Sequence, residues 1–212
     1  MSFSARPLDS GLNAVSETIL EMADLAERTV SASVVAAAHG GELDTQVRVW
    51  SNELQGKYDD VEEKAVELIA RYQPVASDLR VIKSSMKVAY DLARLGRYAY
   101  DIVQVLSLID RGKAADRAFL EKMSQKVLKM MRLSFTALRI REVAIARQLI
   151  EMDNEVDQMY RDYLKGVMSN PSLTPAEAVS TALIARHLER IADHAWYIAQ
   201  SVSYMVTGTY IV

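Results

Sequence analysis

A chain of 212 residues, half of them hydrophobic and a quarter charged, is long enough to bury a sizeable core as one domain or two small ones, which argues against disorder. A formal net charge of -3 and a pI near 5.7 give no global electrostatic drive toward nucleic acid or anionic lipid. Cysteine is absent, which excludes disulfides, thiolate metal sites and cysteine nucleophiles together and fits a reducing compartment.

Glycine and proline are scarce and fall between long periodic stretches, so the pattern predicts an all-α protein. The opening residues lack the apolar run of a signal peptide. The first helix is expected over about Ser10 to Ala38, broken by His39-Gly-Gly41, and the second over about Glu42 to Tyr72. After Gln73-Pro74 a third runs from about Val75 to Ile109, ending at Asp110-Arg-Gly112. The fourth covers about Ala115 to Ile140 and the fifth about Glu142 to Met168, with no breaker between them. Beyond Asn170-Pro-Ser-Leu-Thr-Pro175 the sixth ends near Thr207-Gly208; Thr174 supplies the N-cap hydroxyl and Pro175 the first helical position. No segment approaches the ~20 continuous apolar residues of a membrane span, so a cytoplasmic protein is expected.

The chain repeats itself. Arg186-His-Leu-Glu-Arg-Ile-Ala-Asp-His-Ala-Trp-Tyr-Ile-Ala-Gln200 echoes Tyr90-Asp-Leu-Ala-Arg-Leu-Gly-Arg-Tyr-Ala-Tyr-Asp-Ile-Val-Gln104, with identities at Leu92/Leu188, Arg94/Arg190, Ala99/Ala195, Ile102/Ile198 and Gln104/Gln200. A second echo links Val15–Met22 with Met123–Met130. Residues 1–111 and 112–212 are therefore expected to form two homologous three-helix bundles, packed side by side as an elongated six-helix molecule. The copies differ in their acids: Glu189 aligns with Ala93, and Asp193 with Arg97.

Acids four residues apart share a helix face. Random placement of the chain's acids gives roughly four such pairs, close to what occurs: Glu17/Glu21, Asp59/Glu63, Glu63/Glu67, Glu151/Glu155, Asp153/Asp157 and Glu189/Asp193. Position is more telling than number. Glu189 and Asp193 border the apolar arc of the sixth helix, and Asp153 and Asp157 border that of the fifth, whereas Glu151 and Glu155 point to solvent. Glu155 lies about 20 Å from the end of the fifth helix, and Ile191 about 24 Å from the start of the sixth, so an antiparallel hairpin sets both pairs at one height. Four carboxylates converging there make a hard-oxygen site for Fe, Mn, Mg or, less selectively, Zn. Salt bridges to Arg190, Arg186 or Arg161 are the other account of the same acids.

His187 and His194 share a face across the sixth helix from Glu189 and Asp193, and read as exposed or partner-facing. The Glu-x-x-His pattern of a ferritin-type di-iron enzyme is absent, as are Gly-x-Ser-x-Gly and a Gly-rich phosphate loop, so no catalytic residue is assigned.

Two segments, Gln73-Pro-Val-Ala-Ser-Asp-Leu-Arg80 and Leu188-Glu-Arg-Ile-Ala-Asp-His-Ala195, together with the repeated long helix, resemble the phosphate uptake regulator (PhoU) family across essentially the whole chain. The resemblance implies two three-helix bundles and a cytoplasmic repressor of phosphate uptake. It implies action through the ATPase subunit of the phosphate ABC transporter, with a membrane sensor kinase as a further partner and a homodimer as the assembly. It also implies iron or zinc on Glu/Asp-x-x-x-Asp motifs. Here these motifs are intact at Asp153/Asp157 and Glu189/Asp193. The first repeat has Tyr58, Glu62, Ala93 and Arg97 instead, so no cluster is expected by that route, although Asp59, Asp60 and Glu63 lie nearby. The alternative is a metal-free helical adaptor or scaffold for another transporter or kinase, with the same acids salt-bridged.

Overall fold

A computed structural model describes residues 6–39, 44–108, 116–170 and 172–211. The helices are α1 (Pro7–His39), α2 (Asp44–Tyr72), α3 (Ala76–Ser107), α4 (Arg117–Ile140), the short α5 (Val143–Arg147), α6 (Leu149–Ser169) and α7 (Pro175–Thr207). Among the described residues there is no strand, and the expected all-α pair of three-helix bundles is observed. The expected breaks at Gly40-Gly41 and Asp110–Gly112, and the 111/112 boundary between repeats, lie outside the described residues.

α1, α2 and α3 form one bundle and α4, α6 and α7 the other. The two join through α3 against α7, the most extensive helix pair, and through α1 against α4. Among the described residues α2 touches only α1 and α3, and α6 only α4, α5 and α7, so these helices lie on the outside. Equivalent positions are buried alike. Val15, Ile19 and Met22 of α1 match Met123, Val127 and Met130 of α4, and Leu92, Ala99 and Ile102 of α3 match Leu188, Ala195 and Ile198 of α7. Each fully buried side chain of the Leu or Ile class contributes about 1.5–3 kcal/mol, so these matched stripes dominate the stability of both bundles.

Backbone chemistry sets the ends. Thr174 caps α7 through a reciprocal box: Glu177 N–H donates to its hydroxyl at 3.3 Å, and Thr174 N–H donates to the Glu177 carboxylate at 3.0 Å. α7 stops where Gly208 turns left-handed at φ 80. Gly96 lets α2 approach α3 closely, since a Cβ there would lie 2.5 Å from Leu54 Cδ1.

One expectation needs correction. The fifth helix does not run unbroken from about Glu142; it divides into α5 and α6 at Gln148. The corner before it is made without glycine or proline. Arg141 is left-handed at φ 54, and the next amide, Glu142 N–H, donates to the Ala137 carbonyl at 3.1 Å. The Glu142 carboxylate then accepts from Ala144 N–H at 2.9 Å and starts α5. A left-handed non-glycine residue costs about 1–2 kcal/mol, and burial of Ala146 and Leu149 beyond the corner offsets it.

Candidate metal centre

α6 and α7 pack against each other and bring the second repeat's acids to a common level. Asp157, Glu189 and Asp193 each offer a carboxylate oxygen, and these oxygens lie within 4.8 Å of one another. Glu189, expected at the edge of the apolar arc, is 8% exposed and counts among the buried residues. Asp153, one turn from Asp157 on α6, stands beside this group of three without joining it. Its Oδ1 is nevertheless buried without a hydrogen-bond partner among the described residues, as is Glu189 Oε2. Glu151 and Glu155 are exposed, and Glu155 pairs with Lys126.

The electrostatics follow from burial and crowding. Burial, then the nearby Asp193 charge, pushes the Glu189 carboxyl up to about 7 against the pull of Arg186. Burial, then the charges of Asp193 and Asp157, pushes Asp153 up to about 6. Burial raises Asp193 as well, opposed chiefly by Arg190. Such carboxylates favour either a proton or a cation in their midst.

Arginine supplies part of the positive charge. Arg186 pairs with Glu189 Oε1, Arg190 Nη1 donates to Asp193 Oδ2 at 2.7 Å, and Arg161 lies 3.5 Å from Asp157 Oδ2. Each guanidinium engages one oxygen of its carboxylate, and the second oxygen of Glu189 has no partner among the described residues. Three clustered carboxylates with buried, unpartnered oxygens at Glu189 and Asp153 fit a hard or borderline cation such as iron, zinc, manganese or magnesium.

The equivalent place in the first repeat has different chemistry. The Tyr58 hydroxyl donates to Glu62 at 3.2 Å, and its ring meets Tyr90 edge-on at 5.9 Å. Ala93 is buried, and Arg97 turns to Asp101 at 3.2 Å. Asp59 accepts from Gln55 at 2.9 Å.

The histidine expectation is overturned for His194, which is buried in the contact between α7 and α3 rather than exposed. Its Nδ1 is 2.8 Å from Asp91 Oδ1, while His194 Nε2 and Asp91 Oδ2 have no partner among the described residues. Burial raises the Asp91 carboxyl, and His194 opposes the rise. His187 is half-buried, 6.1 Å from the Tyr98 ring. The signal was present in the repeat: Asp91 aligns with His187, and Tyr98 with His194. The Asp91–His194 contact and the Tyr98–His187 contact are therefore two versions of one crossing.

Tyr98 was also missed by sequence reasoning. Its hydroxyl accepts from Arg94 Nη2 at 2.5 Å and from Arg190 Nε at 3.4 Å, a pair of arginines at equivalent repeat positions.

Comparison with known proteins agrees with this architecture. The chain matches the PhoU domain family twice, over residues 19–106 and 120–202. It is 32% identical to a phosphate-specific transport system accessory protein PhoU homolog of Rhizobium meliloti (strain 1021), over 94% of this chain and 87% of that protein. It is 28% identical to the protein so named from Deinococcus radiodurans, over 95% of this chain and 97% of the relative. The crystal structure of PhoU from Pseudomonas aeruginosa is similar with a TM-score of 0.86 and 29% identity, covering 95% of this chain and 99% of that one.

Proposed function

The chain belongs to the PhoU family, whose members are accessory regulators and not enzymes, and we propose that it represses phosphate uptake by contact with the ATPase subunit of a phosphate ABC transporter. A phosphate sensor kinase is the second partner in this proposal, and a cytoplasmic homodimer the working form. The observation that carries it is likeness over nearly the whole chain to accessory proteins of phosphate-specific transport. The described residues are almost all helical and the sequence has no Gly-rich phosphate-loop motif, a combination that suits recognition of another protein better than chemistry on a small substrate. No helix among the described residues is long and apolar enough to cross a membrane, and the proposal takes the peripheral ATPase subunit as the point of contact with the transporter.

Within this proposal, Asp157, Glu189 and Asp193, with Asp153 beside them, hold an iron or zinc ion, manganese or magnesium being the alternatives. A bound cation supplies the positive charge that relieves repulsion among these acids and fastens α6 to α7. The second reading is a metal-free adaptor for another transporter or kinase. It is favoured by the contacts of Arg161, Arg186 and Arg190, which already engage one acid each.

Co-purification of the full chain with a phosphate-transporter ATPase subunit, at high and at low phosphate, tests the first reading. Capture is expected in at least one condition. Failure in every condition would favour the adaptor.

A further inference from the structure

Arg190 belongs to two places at once. Its Nη1 donates to Asp193 Oδ2 at 2.7 Å within the second repeat's acid cluster. Its Nε donates to the Tyr98 hydroxyl at 3.4 Å, on α3 of the first repeat, and its guanidinium lies 5.8 Å from the Tyr98 ring centre. Tyr98 is itself buried, and its hydroxyl also accepts from Arg94 Nη2 at 2.5 Å. A phenolic oxygen has two lone pairs, so Arg94 and Arg190 use all of its accepting capacity. Arg190 is therefore divided between a carboxylate in one repeat and a hydroxyl in the other. The other two arginines of the cluster, Arg161 and Arg186, have no such tie to Tyr98 among the described residues.

We infer that Arg190 is a positioning residue through which Tyr98 of the first repeat sets the cation affinity of Asp157, Glu189 and Asp193 in the second. This inference rests on the metal reading above. The physical basis is competition for one carboxylate. The more fully Arg190 leans on Asp193, the less of that negative charge is left for a cation. The Tyr98 hydroxyl holds part of the guanidinium away. A change at Tyr98 therefore reaches the acid cluster without any contact between Tyr98 and the ion, and a cation on Asp193 acts in reverse on the α3–α7 contact.

The test is a double-mutant cycle on Mn2+ affinity, using metal-stripped full-length protein and the electron paramagnetic resonance signal of free Mn2+. Tyr98→Phe is expected to weaken binding about fivefold, because Arg190 loses its second acceptor and turns to Asp193. Arg190→Gln is expected to tighten binding, and Tyr98→Phe is expected to have no effect in that background. In an Arg161→Gln background, Tyr98→Phe still weakens binding. Arg94→Gln serves as an independent variant of opposite sign. It removes the stronger competing donor from the Tyr98 hydroxyl, so the 3.4 Å contact from Arg190 Nε can shorten and draw the guanidinium from Asp193; binding tightens, and this gain disappears when Tyr98 is Phe. Circular dichroism and urea unfolding confirm that each variant is folded. If wild type binds Mn2+ but Tyr98→Phe leaves the affinity unchanged, or changes it equally with and without Arg190, the coupling is overturned and the metal reading stands. If wild type binds neither Mn2+ nor Zn2+, both fall together.

Discussion

The two repeats bury the same positions and differ in what they do with polar ones. Leu92 and Leu188, Ala99 and Ala195, and Ile102 and Ile198 are all buried. At the polar positions between them, α7 carries Glu189 and Asp193, while α3 carries a buried Ala93 and an Arg97 that turns to Asp101. Packing constrains each apolar position because a bundle interior tolerates little change in volume. A polar residue beside that stripe is constrained by its partner as well as by volume, so a change of partner lets it diverge. The copies have kept one architecture and separated in chemistry.

The sharpest way to break this contrast is through metal content. Replacing Asp153, Asp157, Glu189 and Asp193 together by Ala is expected to abolish bound metal in protein purified without chelator, as measured by mass spectrometry of the elements. Replacing Tyr58 and Glu62 by Ala leaves the metal unchanged. Equal metal in wild type and the fourfold variant ends the assignment.

The next largest effect tests the shared half of the comparison. Leu92→Ala and Leu188→Ala remove equivalent, almost fully buried side chains. Each is expected to cost about 3 kcal/mol in urea unfolding. A large inequality between them would mean that the two bundles are not packed alike.

Acidity separates the repeats further. The Glu189 carboxyl sits near 7 in the fold against an ordinary 4.5, and Asp153 near 6 against 3.8. Between those limits the folded chain holds protons that the unfolded chain has released, so folding becomes less favourable as pH rises. Metal-stripped protein is therefore expected to lose stability from about pH 4 to 7 through these groups. Burial lowers His187, which contributes the opposite slope as pH rises through its ordinary 6.5. The difference between wild type and Glu189→Gln isolates the acid: the variant's urea midpoint should fall less over this range. A steeper fall in the variant contradicts the assigned sign.

The smallest effect is expected at Arg97, whose pairing with Asp101 is solvent-exposed on the arginine side. Arg97→Ala is expected to change stability by less than about 1 kcal/mol, read from the same unfolding curves.

Much of this was legible in the sequence because helical periodicity and duplication reinforce each other. The repeated segment located α3 and α7, and Thr174-Pro175 marked the start of α7. The Arg141 corner was not legible, since a left-handed arginine closed by a backbone hydrogen bond leaves no glycine or proline to read. Asp153, Asp157, Glu189 and Asp193 were named from helix faces, but the gathering of three with Asp153 beside them depends on side-chain reach, which periodicity does not contain. The burial of His194 was missed because a helical wheel of α7 alone shows no partner. Only the antiparallel crossing with α3 brings Asp91 to it.

That crossing has a further consequence. Were α3 and α7 identical helices from two copies of a single repeat, one approximate dyad would oblige both ends of the contact to carry the same pair of residues. Any ionisable group placed there would appear twice, along with its desolvation cost. Joined in one polypeptide, the halves escape that obligation. One end holds Asp91 against His194, while the other sets an aromatic Tyr98 beside His187. A single covalent chain thus gives the crossing a polarity that a symmetric pair lacks, carried by side chains buried between the two helices.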